Sequence, residues 1–238
     1  MTTNPQGNSS HDQLRLLLWD IDGTLIGMHG RARDKHAQTF GRVMGMQTPA
    51  TPRTSGKTDG QIFAELAEQE GIALSDAQLQ ALFDDLLSTS RVELAKEPAT
   101  PAPAVVEVLD ALTDAGWRHG LLTGNVPLRA QVKLESAGLW DRIDQQFCFF
   151  GTAPAHRTEL GAQAGSALRS NPNFTSVVAV VIGDTPLDLE AARAGGFPGI
   201  LVATGLHDDS ELTAVQPDLF ITDLATGQME LLAFLARQ

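Results

Sequence analysis

The chain has little of what marks secreted or membrane-spanning proteins. Its single cysteine, Cys148, cannot form a disulfide within the chain, which excludes disulfide-stapled secreted scaffolds and favours a reducing compartment. The longest purely apolar runs, such as residues 177–182, are far shorter than the roughly 20 residues that cross a bilayer. Residues 1–13 are polar and lack the apolar segment of an export signal, so we expect a flexible tail. These absences predict a cytoplasmic protein with no membrane partner.

Positive charge is also scarce. The 238 residues include 17 lysines and arginines against 29 aspartates and glutamates, a formal net charge of −12. Because nucleic-acid phosphates are held by clustered basic side chains, this balance argues against a nucleic-acid partner. A phosphate group handled by this protein would need a metal ion or a few individually placed cations to offset its charge.

Short apolar runs, in contrast, are abundant and alternate with segments of helical periodicity. Hydrophobic residues make up 42% of the chain, enough for a large core in one domain. Strands and helices in alternation are typical of βαβ units, which assemble into a parallel sheet with helices on both faces. The predicted fold class is therefore α/β, with a Rossmann-like parallel sheet. The predicted strands lie near residues 14–19, 117–122, 147–150, 177–182, 199–203 and 218–221.

One interval breaks this alternation. Between the first predicted strand and Pro103, the chain offers no strong strand. Ser75 and Gln78 have the spacing of a capping box that opens a helix. We therefore expect a helical cap subdomain at residues 30–97, inserted into a core made of residues 14–29 and 98–238. The helix-like stretches of this cap lie near residues 32–44, 60–70 and 76–96.

The strongest chemical signal follows the first predicted strand, where the chain reads Asp20-Ile21-Asp22-Gly23-Thr24. Side chains two apart in a strand point to the same side, so the Asp20 and Asp22 carboxylates are expected to converge on one crevice while Ile21 faces the core. Two carboxylates this close favour a cation between them or a proton on one of them. The simpler alternative is a strand that ends in an ordinary Asp-Gly turn.

Two other predicted strands also end in polar residues. Thr123, Gly124 and Asn125 follow one of them, and a hydroxyl with free backbone N–H groups suits a phosphoryl oxygen. Asp184 and Asp188 follow another strand and are four residues apart, so we expect them on a common side. Open α/β sheets bind ligands at the carboxyl ends of their strands. All these polar groups are therefore expected near the first pair of aspartates.

Together, these motifs resemble those of the haloacid dehalogenase superfamily, a group rich in phosphatases. The resemblance runs in motif order from about residue 14 to the C-terminus. It implies that Asp20 is the nucleophile that attacks phosphorus and that Asp22 is the general acid and base. It also implies a Mg²⁺ ion held by Asp20, Asp184 and the backbone carbonyl of Asp22, with Asp188 acting indirectly or through water. For Asp188, the simpler alternative is a solvated acid in the first turn of a helix.

The superfamily also has a cation, usually lysine, that orients the nucleophile and offsets phosphoryl charge. The common Lys-Pro pair is absent here, and the resemblance instead assigns this place to Arg157, at the start of a predicted helix. A guanidinium suits the place because its fork can bind a carboxylate and a phosphate together. The competing cations are Lys133, Arg142 and Arg169, each of which could otherwise be surface charge.

Within the expected cap, residues 54–60 look like the Gly-basic-Thr-Asp stretch of phosphoglycolate-phosphatase-like members of the superfamily. The resemblance implies that Lys57 meets an anionic group of the substrate. The plain alternative is a turn at Gly56 followed by an N-cap at Asp59 before the next helix.

The predicted function is Mg²⁺-dependent hydrolysis of a small phosphorylated metabolite, a phosphate monoester, through an aspartyl phosphate. An acid at position 22 favours phosphate esters over carbon–halogen bonds, because an ester leaving group needs a proton. Two alternatives stay open, a sugar phosphomutase on the same core and a binding protein that keeps the fold without catalysis. The predicted catalytic residues are Asp20, Asp22, Thr123 and Arg157, and the predicted substrate-binding residues are Lys57, Gly124 and Asn125.

Overall fold

The computed structural model describes residues 13–27, 34–152 and 156–238. Almost all of the predicted tail, residues 1–12, and the first residues of the predicted cap lie outside the described parts. The elements follow in the order β1 (Leu14–Trp19), α1 (Lys35–Met44), α2 (Asp59–Gln69), α3 (Asp76–Lys96), α4 (Val105–Asp114), β2 (Arg118–Thr123), α5 (Pro127–Ser136), β3 (Cys148–Phe150), α6 (Arg157–Arg169), β4 (Val177–Gly183), α7 (Pro186–Gly195), β5 (Gly199–Val202), α8 (Asp209–Ala214), β6 (Leu219–Ile221) and α9 (Gln228–Leu235).

The six strands form one parallel sheet in the order β3-β2-β1-β4-β5-β6. This is the strand order of a Rossmann-like doubly wound sheet, so the predicted fold class is confirmed. In the centre of the sheet, Trp19 at the end of β1 pairs with Leu121 on one side and Ile182 on the other. Because the strand order reverses at β1, the loops after β1, β2 and β4 meet around one crevice.

The sequence of β1 suits a strand that is buried on both sides. Leu14, Leu16 and Leu18 pack in one apolar cluster, whereas Leu17 and Trp19 pack in another. Alternate side chains of a strand point to opposite faces, so the two clusters are the two layers of core between sheet and helices. Burying each of these leucines contributes about 2 kcal/mol. The apolar run therefore holds the first polar residue after it, Asp20, at a rigid point of the sheet.

Helices α1, α2 and α3 fill the interval between β1 and the rest of the sheet and have an apolar cluster of their own. Phe40, Phe63, Leu82 and Leu86 lie in that cluster, and Val126, which joins β2 to α5, packs into it. The three helices are thereby packed over the loop that follows β2. The division of the chain into a cap at residues 30–97 and a core stays a prediction.

The local signals of this helical region are partly confirmed. Ser75 and Gln78 form the predicted capping box at the start of α3. The alternative considered for Asp59, an N-cap, is wrong, because Thr58 caps α2 by accepting a hydrogen bond from the Gln61 N–H at 3.0 Å. The Asp59 carboxylate is consequently available for other partners. Across the residues that the structure describes, no helix has both the length and the apolar character needed to span a bilayer.

Candidate active site

Three aspartates from two strand ends come together at the carboxyl edge of the sheet. Asp20 follows β1, while Asp184 and Asp188 lie in and after the turn between β4 and α7. One carboxylate oxygen from each of the three lies within 4.8 Å of the others, and we call this group the acidic trio. Gly23 has a φ of +89°, and a Cβ there would collide with the Asp184 carboxylate. The Asp-Gly turn therefore serves to bring the loop after β1 against Asp184.

Burial and repulsion between neighbouring carboxylates disfavour ionisation of Asp20 and Asp184. Burial raises the pKa of Asp20 to about 6, although the charge of Arg157 partly offsets this, and the neighbouring Asp188 adds to the rise. Burial and the charges of Asp188 and Asp20 raise the pKa of Asp184 well above its usual value. A cation that enters beside these two carboxyl groups favours their ionised form.

Arg157, the first residue of α6, reaches the acidic trio from the side of β2. Its side chain is only 2% exposed, and Nη2 donates to Asp20 Oδ1 at 2.7 Å and to the Leu122 carbonyl at 2.9 Å. The same nitrogen contacts Asp188 Oδ1. Among the described residues, none accepts a hydrogen bond from the buried Nε of Arg157. Burial lowers the pKa of the guanidinium, but the charges of Asp188 and Asp20 outweigh burial and raise it.

Two roles were expected for Asp188, an indirect contact with the metal or a solvated acid in the first turn of a helix. The second expectation is wrong, because Asp188 is 1% exposed. Its Oδ2 accepts hydrogen bonds from the Thr185 N–H at 3.0 Å and the Thr185 hydroxyl at 2.7 Å, in a capping box that opens α7. Its Oδ1 is taken by Arg157. Asp188 thus links the start of α7 to the cation beside Asp20.

The loop after β2 forms the next wall of the site. Thr123 is fully buried, and its hydroxyl accepts a hydrogen bond from Asn125 Nδ2 at 2.9 Å. Gly124 has no space for a side chain, since a Cβ would collide with the Lys57 carbonyl and lie 3.0 Å from an Arg157 nitrogen. The backbone at Lys57, just before α2, therefore lies directly against the loop that follows β2.

Asp22 is separate from the acidic trio in its side-chain contacts. Its carboxylate is 30% exposed, and Oδ2 contacts Lys133 Nζ and accepts from Asn125 Nδ2 at 2.9 Å. Burial raises the pKa of Asp22, but the charges of Lys133 and Arg129 outweigh burial and hold the pKa well below its usual range. Asp20 and Asp22 were predicted to converge on one crevice. Both residues line the same cavity, although their side chains have different partners.

Lys133 is not a surface charge, which was one of the alternatives considered for it. Lys133 lies on α5 with its side chain 5% exposed, and it contacts Asp22 and donates to Asn125 Oδ1 at 2.6 Å. Of the other competing cations, Arg142 pairs with Asp110 at the surface and Arg169 donates to the Gly195 carbonyl, both away from the acidic trio.

Sequence reasoning missed a chain of buried polar contacts behind Lys133. Arg129, one turn earlier on α5, donates to Asn125 Oδ1 at 2.8 Å and to Asp59 Oδ1 at 2.7 Å. Asp59 Oδ1 also lies 2.8 Å from His36 Nε2. We call Asp22, Lys133, Asn125, Arg129 and Asp59 the α5 network. Its sequence signal is two cations four residues apart in the helix after Thr123-Gly124-Asn125, the spacing of one helix face.

A cavity of about 160 Å³ lies between these groups and the helical region. Lys57, a predicted substrate-binding residue, lines the cavity and pairs with Glu65 at 2.6 Å. Lys35 and His36 of α1 also line it. The predicted site residues Asp20, Asp22, Lys57, Gly124, Asn125, Arg157 and Asp184 all line this one cavity, whereas Thr123 and Asp188 lie behind its wall.

The sequence model of the haloacid dehalogenase-like hydrolases matches residues 14–196, which is more than half of the chain. The chain belongs to the haloacid dehalogenase-like hydrolases. The resemblance stated from the motifs is thereby confirmed, and so is the prediction of an enzyme of the hydrolase class.

Several named proteins are moderately similar to this haloacid dehalogenase-like hydrolase. The probable phosphatase IndB from Dickeya dadantii is 30% identical, over 87% of this chain and 88% of that protein. A phosphoglycolate phosphatase from Agrobacterium fabrum is 29% identical, over 64% of this chain and 63% of that protein. A haloacid dehalogenase hydrolase from Entamoeba histolytica has a similar structure, with a TM-score of 0.70 and 17% identity over 94% of this chain and 100% of that one. At that identity, the structural likeness supports the fold alone.

The donor set of this haloacid dehalogenase-like hydrolase fits a hard divalent cation. Carboxylate oxygens are the ligands that such ions prefer, and the acidic trio supplies them beside the cavity, which Asp20 and Asp184 line. Three carboxylates and the guanidinium of Arg157 leave a local charge of −2, which one divalent ion neutralises. The trio includes the predicted ligands Asp20 and Asp184.

Proposed function

We propose that this protein is a Mg²⁺-dependent phosphatase that hydrolyses a small phosphate monoester through an aspartyl phosphate on Asp20. The observation that carries the proposal is the surroundings of the Asp20 carboxylate. Arg157 donates to its Oδ1 at 2.7 Å, two further acids flank it, and it lines the same cavity as Asp22. A carboxylate nucleophile with a cation site beside it and an acid–base group across the cavity is the set that ester hydrolysis in two steps needs.

In the first step, an oxygen of Asp20 bonds to phosphorus as the bond from phosphorus to the ester oxygen breaks. The leaving oxygen takes a proton from the Asp22 carboxyl. Arg157 orients Asp20 and offsets charge on the phosphoryl oxygens, while the Gly124 N–H would donate to those oxygens from the loop that the buried Thr123 supports. Asp22 must be protonated for this step. The negative phosphoryl group of a bound substrate raises the pKa of a neighbouring acid and so favours that form.

In the second step, water attacks phosphorus of the aspartyl phosphate and gives a proton to the Asp22 carboxylate. The bond between phosphorus and Asp20 then breaks, and inorganic phosphate leaves. Asp22 ends with the proton that it lost in the first step, so the cycle closes. In the free protein, Lys133 and Arg129 hold Asp22 as a carboxylate, which is the form that this second step requires.

Asp20, Asp184 and the Asp22 carbonyl would hold the Mg²⁺ ion, with Asp188 behind them. When bound, the ion supplies positive charge against the phosphoryl oxygens and the acidic trio. Burial raises the pKa of Asp20, and the positive charge of the ion would favour the ionised carboxylate that acts as the nucleophile.

A small anionic ester fits the cavity best. The cavity holds only about 160 Å³, and two lysines of the helical region line it, Lys57, which pairs with Glu65, and Lys35, which pairs with Glu93. The similarity to a protein named phosphoglycolate phosphatase points the same way. We therefore include short carboxylate-bearing phosphates among the first substrates to test, and we propose a location in the cytoplasm, where such metabolites occur.

The test is a phosphate-release screen with Mg²⁺ over phosphoglycolate, sugar phosphates and nucleoside monophosphates. We expect release from at least one small ester, and we expect Asp20→Asn to lower the rate to the background of the preparation while the variant stays folded. Conversion of a sugar 1-phosphate to its 6-phosphate without free phosphate would favour the phosphomutase alternative instead. Asp20→Asn with near-wild-type turnover would contradict the nucleophile assignment.

A further inference from the structure

The α5 network has one feature that ester hydrolysis by the acidic trio and Arg157 does not use, the buried ammonium of Lys133. Its Nζ contacts Asp22 Oδ2 across 111 residues of sequence. Asn125 Nδ2 donates to the same oxygen at 2.9 Å. Among the described residues, none donates to the other oxygen of this carboxylate, Oδ1, and the carboxylate is 30% exposed at the cavity. One oxygen of Asp22 is therefore held by two donors, whereas the described residues provide no donor for the other.

The orientation of Asn125 in this contact is itself fixed from behind. Its Oδ1 accepts from Lys133 Nζ at 2.6 Å and from Arg129 Nη1 at 2.8 Å. Its Nδ2 donates to Asp22 and also to the Thr123 hydroxyl. Because both ends of the amide are engaged, the group cannot flip without losing several hydrogen bonds. Asn125 therefore forms a rigid second support for the same oxygen of Asp22.

Arg129 is anchored in turn by the helical region. Its Nη1 donates to Asp59 Oδ1 at 2.7 Å, and its Nε donates to the Ser90 hydroxyl at 3.3 Å. Asp59 Oδ2 accepts from the Val126 N–H at 3.0 Å, which fixes the start of α5. Contacts with α2 and α3 thus hold α5, and with it Lys133, in position relative to Asp22.

A structural role does not account for the charge of Lys133. Two cations four residues apart on one helix face repel each other, and a buried ammonium has a desolvation cost that a methionine of similar length avoids. Arg129 already links α5 to Asp59 in the helical region. What the ammonium adds is a strong, directional contact with one oxygen of Asp22.

We infer that Lys133 is a positioning residue for Asp22, which holds Oδ2 so that Oδ1 faces the leaving oxygen of the substrate. This inference rests on the proposed function, in which Asp22 protonates that oxygen as the phosphorus–oxygen bond breaks. Lys133 acts through Asp22 and takes part in no bond change itself. Without it, Asp22 still lines the cavity but is held only by the hydrogen bond from Asn125 Nδ2, and Asn125 itself loses its contact with Lys133.

The consequence depends on the leaving group. The value of kcat/KM reports the steps up to transfer of the phosphoryl group to Asp20. An alkyl oxygen needs a proton in that step, whereas the oxygen of para-nitrophenyl phosphate leaves without much help. For Lys133→Met, we expect kcat/KM to fall at least about tenfold for the best alkyl phosphate of the screen and by less than about threefold for para-nitrophenyl phosphate. With the alkyl ester, the loss should lie in kcat, with KM close to that of the wild type.

The ratio of the two kcat/KM values in one preparation is independent of the fraction of folded enzyme, so reduced stability cannot imitate the effect. Lys133→Arg keeps the charge and is expected to restore most of the ratio. The matched control is Lys96→Met, an exposed lysine at the end of α3, which should leave the ratio unchanged. If Lys133→Met does not fold, Lys133→Gln is measured in the same way.

The outcomes separate the inference from the proposed function. A Lys133→Met enzyme with an unchanged ratio, or with an equal loss for both esters, overturns the positioning role while the phosphatase assignment stands. A wild-type enzyme that releases phosphate from neither ester overturns the proposed function and the inference with it.

Discussion

The contacts of the acidic trio lead us to expect that Asp20→Asn, the substitution proposed to abolish catalysis, makes the metal-free protein more stable. Asp20 has a pKa of about 6 in the folded protein against 3.8 for the unperturbed group. A folded-state pKa above the unfolded one means that stability is fully present below the unfolded pKa and is lost as the pH rises through the folded pKa. The ionised Asp20 therefore destabilises the metal-free fold at neutral pH, and Asn at this position, which resembles the protonated acid, removes that cost.

The size of the effect follows from the difference in pKa. Each pKa unit corresponds to about 1.4 kcal/mol, so Asp20→Asn should stabilise the metal-free protein by about 3 kcal/mol near pH 7.5. Near pH 4.5, where folded Asp20 is largely protonated, the gain should shrink to about 1 kcal/mol. For a chain of this length, about 3 kcal/mol corresponds to a rise in Tm of about 6–12 °C.

The assay is thermal unfolding in excess chelator, followed by circular dichroism at both pH values. The matched control is Asp141→Asn, an exposed aspartate outside the acidic trio, which should change stability by less than about 0.5 kcal/mol. An Asp20→Asn protein that is no more stable than the wild type near pH 7.5, or one whose gain does not depend on pH, would refute the electrostatic reasoning.

Two further predictions concern the metal and the α5 network. Mg²⁺ should raise the Tm of the wild type near neutral pH because it relieves repulsion in the acidic trio, and Asp184→Asn should lose most of this shift; a full shift in that variant would contradict a site at these residues. Asp59→Ala should lower the free energy of unfolding by about 3–5 kcal/mol, measured with urea, because it leaves Arg129 buried without its carboxylate. A loss below about 1 kcal/mol would show that Arg129 does not depend on this pair.

Residues whose environment is set by neighbours in sequence were predicted well. The run of leucines before Asp20 predicts a strand buried on both faces, and β1 is such a strand. The spacing of Ser75 and Gln78 predicts a capping box, which forms at the start of α3. These features depend on side-chain alternation and on hydrogen bonds within one helical turn, so the local sequence contains all the groups involved.

Residues whose environment depends on distant partners were predicted poorly. Asp59 was considered as an N-cap, but its carboxylate lies against Arg129, which is 70 residues away along the chain. Lys133 was weighed as surface charge, although the packing of α5 between the sheet and α3 buries it beside Asp22. Apart from the spacing of Arg129 and Lys133 on one helix face, nothing within a few residues of either position distinguishes these buried charges from solvated ones.

The sequence by itself determined the order of strands and helices and the strand ends at which Asp20, Thr123 and Asp184 occur, because apolar periodicity and short-range hydrogen bonds act along the chain. Only the tertiary structure decided which oxygen of Asp22 is held, because that contact requires Lys133 to be packed beside it and withdrawn from water. Such an ion pair forms only when the elements on both sides are already in place.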